Sequence, residues 1–504
     1  MKNLFLNLKF AILYNVIVIA LKFIVRLFLI HRLSIEYLGI DGLFSNILSI
    51  LSLAELGIGP AIIYSLYKPL AIDDKETIKS IMKLFKKLYI SIGVIIMAMG
   101  LLLFPWLDDF IKNKPSIENI EIFYLFFLVN TAVSYFWSYQ RNLLIADQKQ
   151  YIVNIYQIAT QIIVAGLQIV ILLVIPSYVW YLSVLLCGTI IENFVIYVVV
   201  NRQYCFLKES AQDLKEGIKN QISQNIKAMF FHKIGGVLVT SSSNIVISKY
   251  VGLTAVGLYS NYMLIIYGIS AFSGRLYETI TASIGNSFIK NSESENLNKF
   301  YDIELLTAIL GSVFSICLFL FMNPFIEIFF GKSLVFQKEI VLCIVMQFYF
   351  SYMRKSVLLF KDAAGLFWND RYKPIVEAVV FLVTSIFITI KYGVIGVIIG
   401  GIFSTLCVCF WVEPYVLFRY GFHQSPKIYF LKYTKYTLTN FSLLVGFNYI
   451  YKVLQYPMTM IGVVLHSILV SLVIVVFWVI LYRKNRIIIK IKYRIMSFFG
   501  KKQL

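Results

Sequence analysis

Residues 34–70 read SIEYLGIDGLFSNILSILSLAELGIGPAIIYSLYKPL. The stretch opens on polar residues and then stays apolar for about seven turns, long enough to cross a bilayer. A carboxylate, Glu55, sits inside the apolar run. Gly57-Ile58-Gly59-Pro60 follows, where proline lacks a backbone donor and glycine permits a bend. A charge and a break are both costly in hydrocarbon and are tolerated where a helix faces a cavity or other protein. The stretch is therefore predicted to be a membrane-spanning helix with a built-in bend beside a cavity.

The rest of the chain fits that setting. Of 504 residues, 59% are hydrophobic and only 14% charged, with a mean hydropathy of +0.79. A soluble protein of this size could not cover so much apolar surface. The class is an all-α polytopic membrane protein, since a β-barrel would show short alternating segments. Fourteen spans are predicted, near 10–30, 42–67, 88–107, 120–140, 151–175, 178–200, 232–249, 255–284, 302–325, 339–360, 374–390, 393–413, 432–451 and 459–482. The opening MKNLFLNLKF has no small-residue cleavage site after it and reads as a retained first span.

A net charge of +20 is explained first by the positive-inside rule. With both termini in the cytoplasm, roughly 33 Lys and Arg fall inside and about 8 outside. The predicted outer loops are about a dozen residues at most, too short for a folded outer domain. Leu207, Ala211, Leu214, Ile218, Ile222 and Ile226 recur at steps of three and four, the spacing of one apolar helix face. A basic helix along the cytoplasmic membrane surface is expected over 204–231, and the basic tail 483–504 is expected on anionic lipid. No nucleic-acid partner is expected. The six cysteines, at 187, 205, 317, 343, 407 and 409, form no CxxC pattern and suggest no disulfide framework.

The start of the quoted stretch returns. Tyr37-Leu38-Gly39 precedes Gly42-Leu43-Phe44-Ser45-Asn46; later Tyr250-Val251-Gly252 precedes Gly257-Leu258-Tyr259-Ser260-Asn261. The copies open the second and eighth spans. An offset of six spans gives two halves of the same orientation, related by a pseudo-two-fold along the membrane normal, with a substrate path between them. The expected organisation is an N-terminal lobe (1–203), the linker helix (204–231), a C-terminal lobe (232–418), two further spans (419–482) and the tail (483–504).

Charges inside the spans suggest the cargo. Lys22 and Arg26 lie four residues apart on one face of the first span, with Asn15 on that face too. Arg275 lies in the eighth span, three residues from Glu278, with which it could simply pair. Two cations on one face without a nearby acid imply an anionic partner, and a diphosphate offers several oxygens to Lys and Arg. Arg354 and Lys355, late in the tenth span, are expected to snorkel toward the surface. Asn46 and Asn261 are expected to cap helices, with contact to sugar as the alternative. Glu55, Gly57, Gly59 and Pro60 form the candidate hinge or gate, and Glu377 is the better-placed acid for coupling to H+ or Na+. No metal site or other cofactor is expected. There is no HExxH and no GxxxxGK[ST] phosphate loop, so no zinc protease or ATP-driven chemistry of those kinds is indicated.

With these residues in view, YLGIDGLFSNILSILSLAELGIG and the following YSLYKPL resemble the polysaccharide transporter family, the repeat-unit flippases of O-antigen, capsule and exopolysaccharide pathways. Further matches are NLLIADQKQYIVN (142–154), TSSSNIVISKYVGLTAVGLYSNY (240–262) and GLFWNDRYKPIVEA (365–378). That family belongs to the multidrug/oligosaccharidyl-lipid/polysaccharide exporter superfamily. The resemblance implies two six-helix lobes in a MATE-like V shape plus two C-terminal helices. It implies a non-enzymatic transporter in a bacterial plasma membrane, moving undecaprenyl-diphosphate-linked oligosaccharide to the outer leaflet by alternating access. Lipid II flippases of the superfamily carry cavity arginines on helices one and eight, and Lys22, Arg26 and Arg275 lie on comparable helices. The implied partners are that lipid-linked substrate, membrane lipids, a polysaccharide polymerase and a chain-length regulator. The rival readings are an ion-coupled multidrug antiporter on the same scaffold, which needs acids at the cavity, a membrane polymerase or ligase, which usually needs a sizeable outer loop, and a pure scaffold for a polysaccharide assembly complex.

Overall fold

Sixteen α-helices are delimited among the described residues. α1 spans Lys2–Arg32, α2 Ile35–Leu51, α3 Ile58–Ala71, α4 Lys75–Leu103, α5 Ile120–Ala146, α6 Gln150–Val174, α7 Tyr178–Gln203 and α8 Glu216–Tyr250. α9 spans Leu253–Lys290, α10 Glu293–Phe330, α11 Lys338–Ala363, α12 Lys373–Tyr392, α13 Val394–Ser404, α14 Phe410–Val416, α15 Lys427–Leu454 and α16 Met460–Leu481. The computed structural model describes residues 2–55, 58–112, 117–214, 216–366, 369–454, 459–490 and 492–493, and no strand occurs among them.

Local chemistry explains several starts. Asp74 caps α4 by accepting from the Thr77 amide at 3.0 Å and from its hydroxyl at 2.6 Å. Ser292 and Glu295 form a reciprocal capping box at α10, and Thr459 caps α16 through the Gly462 amide. Each satisfies backbone donors that a helix start leaves open.

The opening stretch breaks, but just ahead of its Gly-Ile-Gly-Pro signal. α2 ends at Leu51, a 3-10 turn covers Ser52–Glu55, and α3 starts at Ile58. Gly57 lies outside the described residues. Pro60 falls in the first turn of α3, where a missing amide costs no hydrogen bond.

Among the described residues, ten helices are long and apolar enough to cross a membrane, so this is a multi-pass membrane protein. The remaining expected spans, near 42–67, 232–249, 339–360 and 432–451, are helical but fall short of that measure. The first is broken in two. α11 and α15 carry charges such as Arg354, Lys355, Lys432 and Lys435 within their length.

The separate surface helix expected over 204–231 is corrected. α7 runs on to Gln203, a short 3-10 turn covers Cys205–Lys208, and α8 begins at Glu216 and continues without a break to Tyr250. The intervening segment is strapped to α4. Lys79 Nζ reaches Glu76 at 2.7 Å and Glu209 at 2.9 Å, while Lys83 Nζ donates to the Ala211 carbonyl and to Asp213 at 3.0 Å. The Lys83 hydrogen bond, and then its charge, hold the Asp213 carboxyl below its ordinary range. These contacts are made from a segment that is a 3-10 turn over Cys205–Lys208 and irregular over 209–214.

The chain divides into two compact units, residues 1–264 with 374–397, and residues 265–373 with 398–504. In the first, α1 packs along α6, α4 and α7 pack on α5, and α2 and α3 lie against α8. In the second, α10 is central, packed by α11, α15 and α16.

Candidate functional site

In the first unit, the two cations of α1 have different surroundings. Lys22 is exposed and makes no hydrogen bond or ion pair among the described residues. Arg26 is half-buried; its Nη1 donates to the Ser260 carbonyl at 2.7 Å and to Asn261 Oδ1 at 3.4 Å. Asp41 of α2 stands within electrostatic reach of both Arg26 and Lys22. The premise of two cations without a nearby acid is thus narrowed: Asp41, fifteen residues downstream of Arg26, acts on both electrostatically but forms no ion pair with either among the described residues. One net positive charge remains in this group. Asn15 turns onto its own helix, donating to the Ala11 carbonyl at 3.0 Å.

Arg26 meets the second copy of the repeat, and the two copies also meet each other. A β-carbon at Gly39 would stand 2.1 Å from the Leu253 carbonyl oxygen, and one at Gly257 2.5 Å from that of Ile35. The contacts are reciprocal, each copy's glycine receiving the other's backbone. Only glycine allows two backbones so close. Thr254 Oγ1 donates to Glu36 Oε1 at 3.0 Å across the same contact. Asn46 donates to the Gly42 carbonyl one turn back at 2.6 Å. Asn261 is 1% exposed with its Nδ2 unpartnered. The capping expectation for both is corrected, because α2 and α9 start well upstream, at Ile35 and Leu253.

Glu55 is not alone beside the break. Tyr135 donates to its Oε2 at 2.7 Å and Tyr89 to its Oε1 at 3.3 Å. Asn142 in turn donates to the Tyr89 hydroxyl at 3.0 Å. Gly59 packs here; a β-carbon on it would lie 3.3 Å from the Tyr89 hydroxyl. The broken stretch is thereby tied through one carboxylate to α4 and α5. A second polar knot joins Arg141 to Glu192 at 2.9 Å and to Asn193 at 3.1 Å, with Gln157 also donating to Glu192. Glu377 lies half-buried near the start of α12.

In the second unit, Arg275 is exposed and pairs with Glu278 at 2.8 Å. Arg354 and Lys355 do not snorkel. Arg354 grips Glu413 through Nε at 2.9 Å and Nη2 at 2.6 Å, and Lys373 reaches the same carboxylate at 2.7 Å. Glu413 is buried between two π-helical turns, Thr405–Cys409 and Leu417–Gly421. Lys355 turns toward α9, donating to Ser273 Oγ at 2.6 Å and lying over the rings of Tyr352 and Tyr277. Buried partners outcompete water for both side chains. Glu304, fully buried on α10, has no partner for either carboxylate oxygen among the described residues. Lys432 is near enough to act on it but sits over the Tyr301 ring, 3.4 Å from its centroid.

The sequence signature of the polysaccharide biosynthesis protein family matches residues 6–273, more than half of the chain. The chain belongs to this family. No curated protein matches it. Among solved structures it is similar to the lipid II flippase MurJ in an inward closed conformation, at 16% identity and a TM-score of 0.62, covering 95% of this chain and 99% of that one. It is also similar to an inward-facing multidrug resistance MATE family transporter of the MOP superfamily, at 14% identity and a TM-score of 0.55, covering 79% and 94%. A third likeness is to the Vibrio cholerae MATE transporter VcmN, at 13% identity and a TM-score of 0.56, covering 84% and 98%. At these identities the likeness establishes the fold alone.

Within this family fold, several residues escaped the sequence reading. Asp41 stood inside the quoted motif but had no periodic relation to Lys22. Tyr89, Tyr135 and Asn142 lie on other helices from Glu55, as Glu413 does from Arg354. Each lone intramembrane charge was itself a signal that a partner must exist; its identity had no signal at all.

Proposed function

We propose that this protein is a flippase that carries an isoprenoid-diphosphate-linked oligosaccharide from the inner to the outer leaflet of a bacterial plasma membrane, for surface polysaccharide assembly. The family match over residues 6–273 carries the reading. The exposed ammonium of Lys22, beside an Arg26–Asp41 group that leaves one positive charge uncompensated, supports it as an attachment point for the diphosphate. Arg26 also has a positioning role, since it joins α1 to the Ser260–Asn261 turn of α9. Arg275, exposed and paired with Glu278, is proposed as a further cation for the anionic substrate. The groove along α15, about 770 Å³ and lined by Leu431, Leu438 and Phe477 among others, suits an isoprenoid tail. Both termini are cytoplasmic in this reading, which follows the lysine distribution.

The test separates charge from packing. Lys22→Gln and Arg275→Gln should cut export of polysaccharide in a flippase-null strain by at least about tenfold, at unchanged membrane abundance, as expected for loss of a charge-assisted bond. Normal export by both variants would sink the diphosphate assignment. Resistance to cationic drugs on overexpression, without complementation, would indicate the multidrug reading instead. Glu55 and Glu377 are the proposed coupling carboxylates; flipping by Glu55→Gln and Glu377→Gln that keeps the wild-type dependence on pH and sodium removes them from that role.

A further inference from the structure

A second, basic cavity lies away from the residues assigned to the substrate. It occupies about 510 Å³ between the lysine-rich start of α4, the ends of α5 and α7, and the strap that follows α7. Its walls carry Lys79, Lys83, Lys86, Arg202 and Lys208 against one acid, Glu209. Two of these cations are already satisfied: Lys79 by Glu76 and Glu209, and Lys83 by Asp213. Lys86, Arg202 and Lys208 have no acid partner among the described residues. Such a concentration of unpaired charge in a concave space draws an anion with several oxygens, such as a phosphate ester, because several donors can share them.

A second observation narrows the chemistry. Gln140 also lines the cavity. It is 3% exposed, and its Oε1 has no hydrogen-bond partner. A buried acceptor left unmade is costly, and an anionic oxygen cannot satisfy it, since both are acceptors. It calls for a donor, such as a hydroxyl, on the same ligand. The cavity also sits at the ends of the apolar runs 88–107, 120–140 and 178–200, the depth at which lipid phosphates lie.

We propose that this cavity binds a phosphate ester carrying a nearby hydroxyl, of the glycerophosphate type, with Lys86, Arg202 and Lys208 on the phosphate and Gln140 Oε1 accepting from the hydroxyl. The same chemistry is offered by a phosphoglycerol lipid head group and by a free glycerol phosphate. Bound there, the ligand ties the strap at Lys208 to α4 and α7.

The full-length purified protein tests this. Lipid retention is measured by native mass spectrometry with phosphatidylglycerol, with phosphatidylmethanol, which has the same charge and no hydroxyl, and with phosphatidylcholine. Glycerol 3-phosphate binding is measured separately by calorimetry. Wild type should retain phosphatidylglycerol over phosphatidylmethanol, and either over phosphatidylcholine. Lys86→Gln/Arg202→Gln/Lys208→Gln should weaken retention at least about tenfold, whereas Arg202→Lys should keep most of it. Gln140→Leu should abolish the preference for phosphatidylglycerol over phosphatidylmethanol while sparing that over phosphatidylcholine. Binding of lipid alone identifies the head group as the ligand; binding of glycerol 3-phosphate alone identifies the free ester. All three cations are exposed, so the triple variant should fold. Wild-type retention by that variant, or no binding of any phosphate probe, overturns the proposal.

Discussion

The reciprocal glycine contact between the repeat copies makes a quantitative claim. Gly39→Ala would place a β-carbon 2.1 Å from the Leu253 carbonyl oxygen and 2.8 Å from its carbonyl carbon. Real β-carbons essentially never come within 3.0 Å of such atoms, so the two backbones must part by about 0.9 Å. The obstruction is main chain on both sides, and no side chain can rotate out of the way. Forcing extra volume into a packed contact costs about 1–3 kcal/mol. That corresponds to a shift of about 5- to 150-fold away from the apposed arrangement. The assay is oxidative crosslinking of Glu36→Cys with Thr254→Cys, whose native side chains hydrogen-bond at 3.0 Å across this contact, in a background lacking the six native cysteines. Gly39→Ala should slow crosslinking by that factor, and Gly257→Ala, which meets the Ile35 carbonyl oxygen at 2.5 Å, should do so less. The double variant should fall short of the sum of the two, because one separation relieves both clashes. Crosslinking at the parent rate in both single variants would refute the reasoning.

Two other outcomes follow from the buried charges. Glu413→Gln leaves Arg354 and Lys373 facing each other without their shared carboxylate, and should cost about 3–5 kcal/mol; Arg354→Met/Glu413→Met/Lys373→Met should recover most of it, read as thermal inactivation in detergent. Glu304→Met removes two acceptors that have no partner and should raise stability by about 1–3 kcal/mol. A marked loss of stability in that variant would reveal a partner for Glu304 and count against its isolation.

The sequence by itself determined that the chain is helical and crosses a membrane many times. It also signalled a break in the opening stretch, because apolar run length and Gly/Pro content are local properties of the backbone and its solvent, though the α-helix ends at Leu51, ahead of the Gly-Ile-Gly-Pro signal. It marked the repeat as well, through letters at equivalent span starts. Tertiary structure alone decided what the repeat does, since the contact of Gly39 with Leu253 and of Gly257 with Ile35 joins residues more than two hundred positions apart. It likewise decided which acid answers each buried cation. Glu413 pairs with Arg354, Asp41 acts on Arg26 only at longer range, and Lys355 has no acid partner among the described residues, because a charge in low dielectric takes whatever partner folding delivers. The linker shows the same limit. Residues 204–231 have a helix's periodicity, yet only the part from Glu216 joins a helix, while Glu209 and Asp213 in the irregular part before it pair with Lys79 and Lys83 of α4, contacts that local periodicity does not encode.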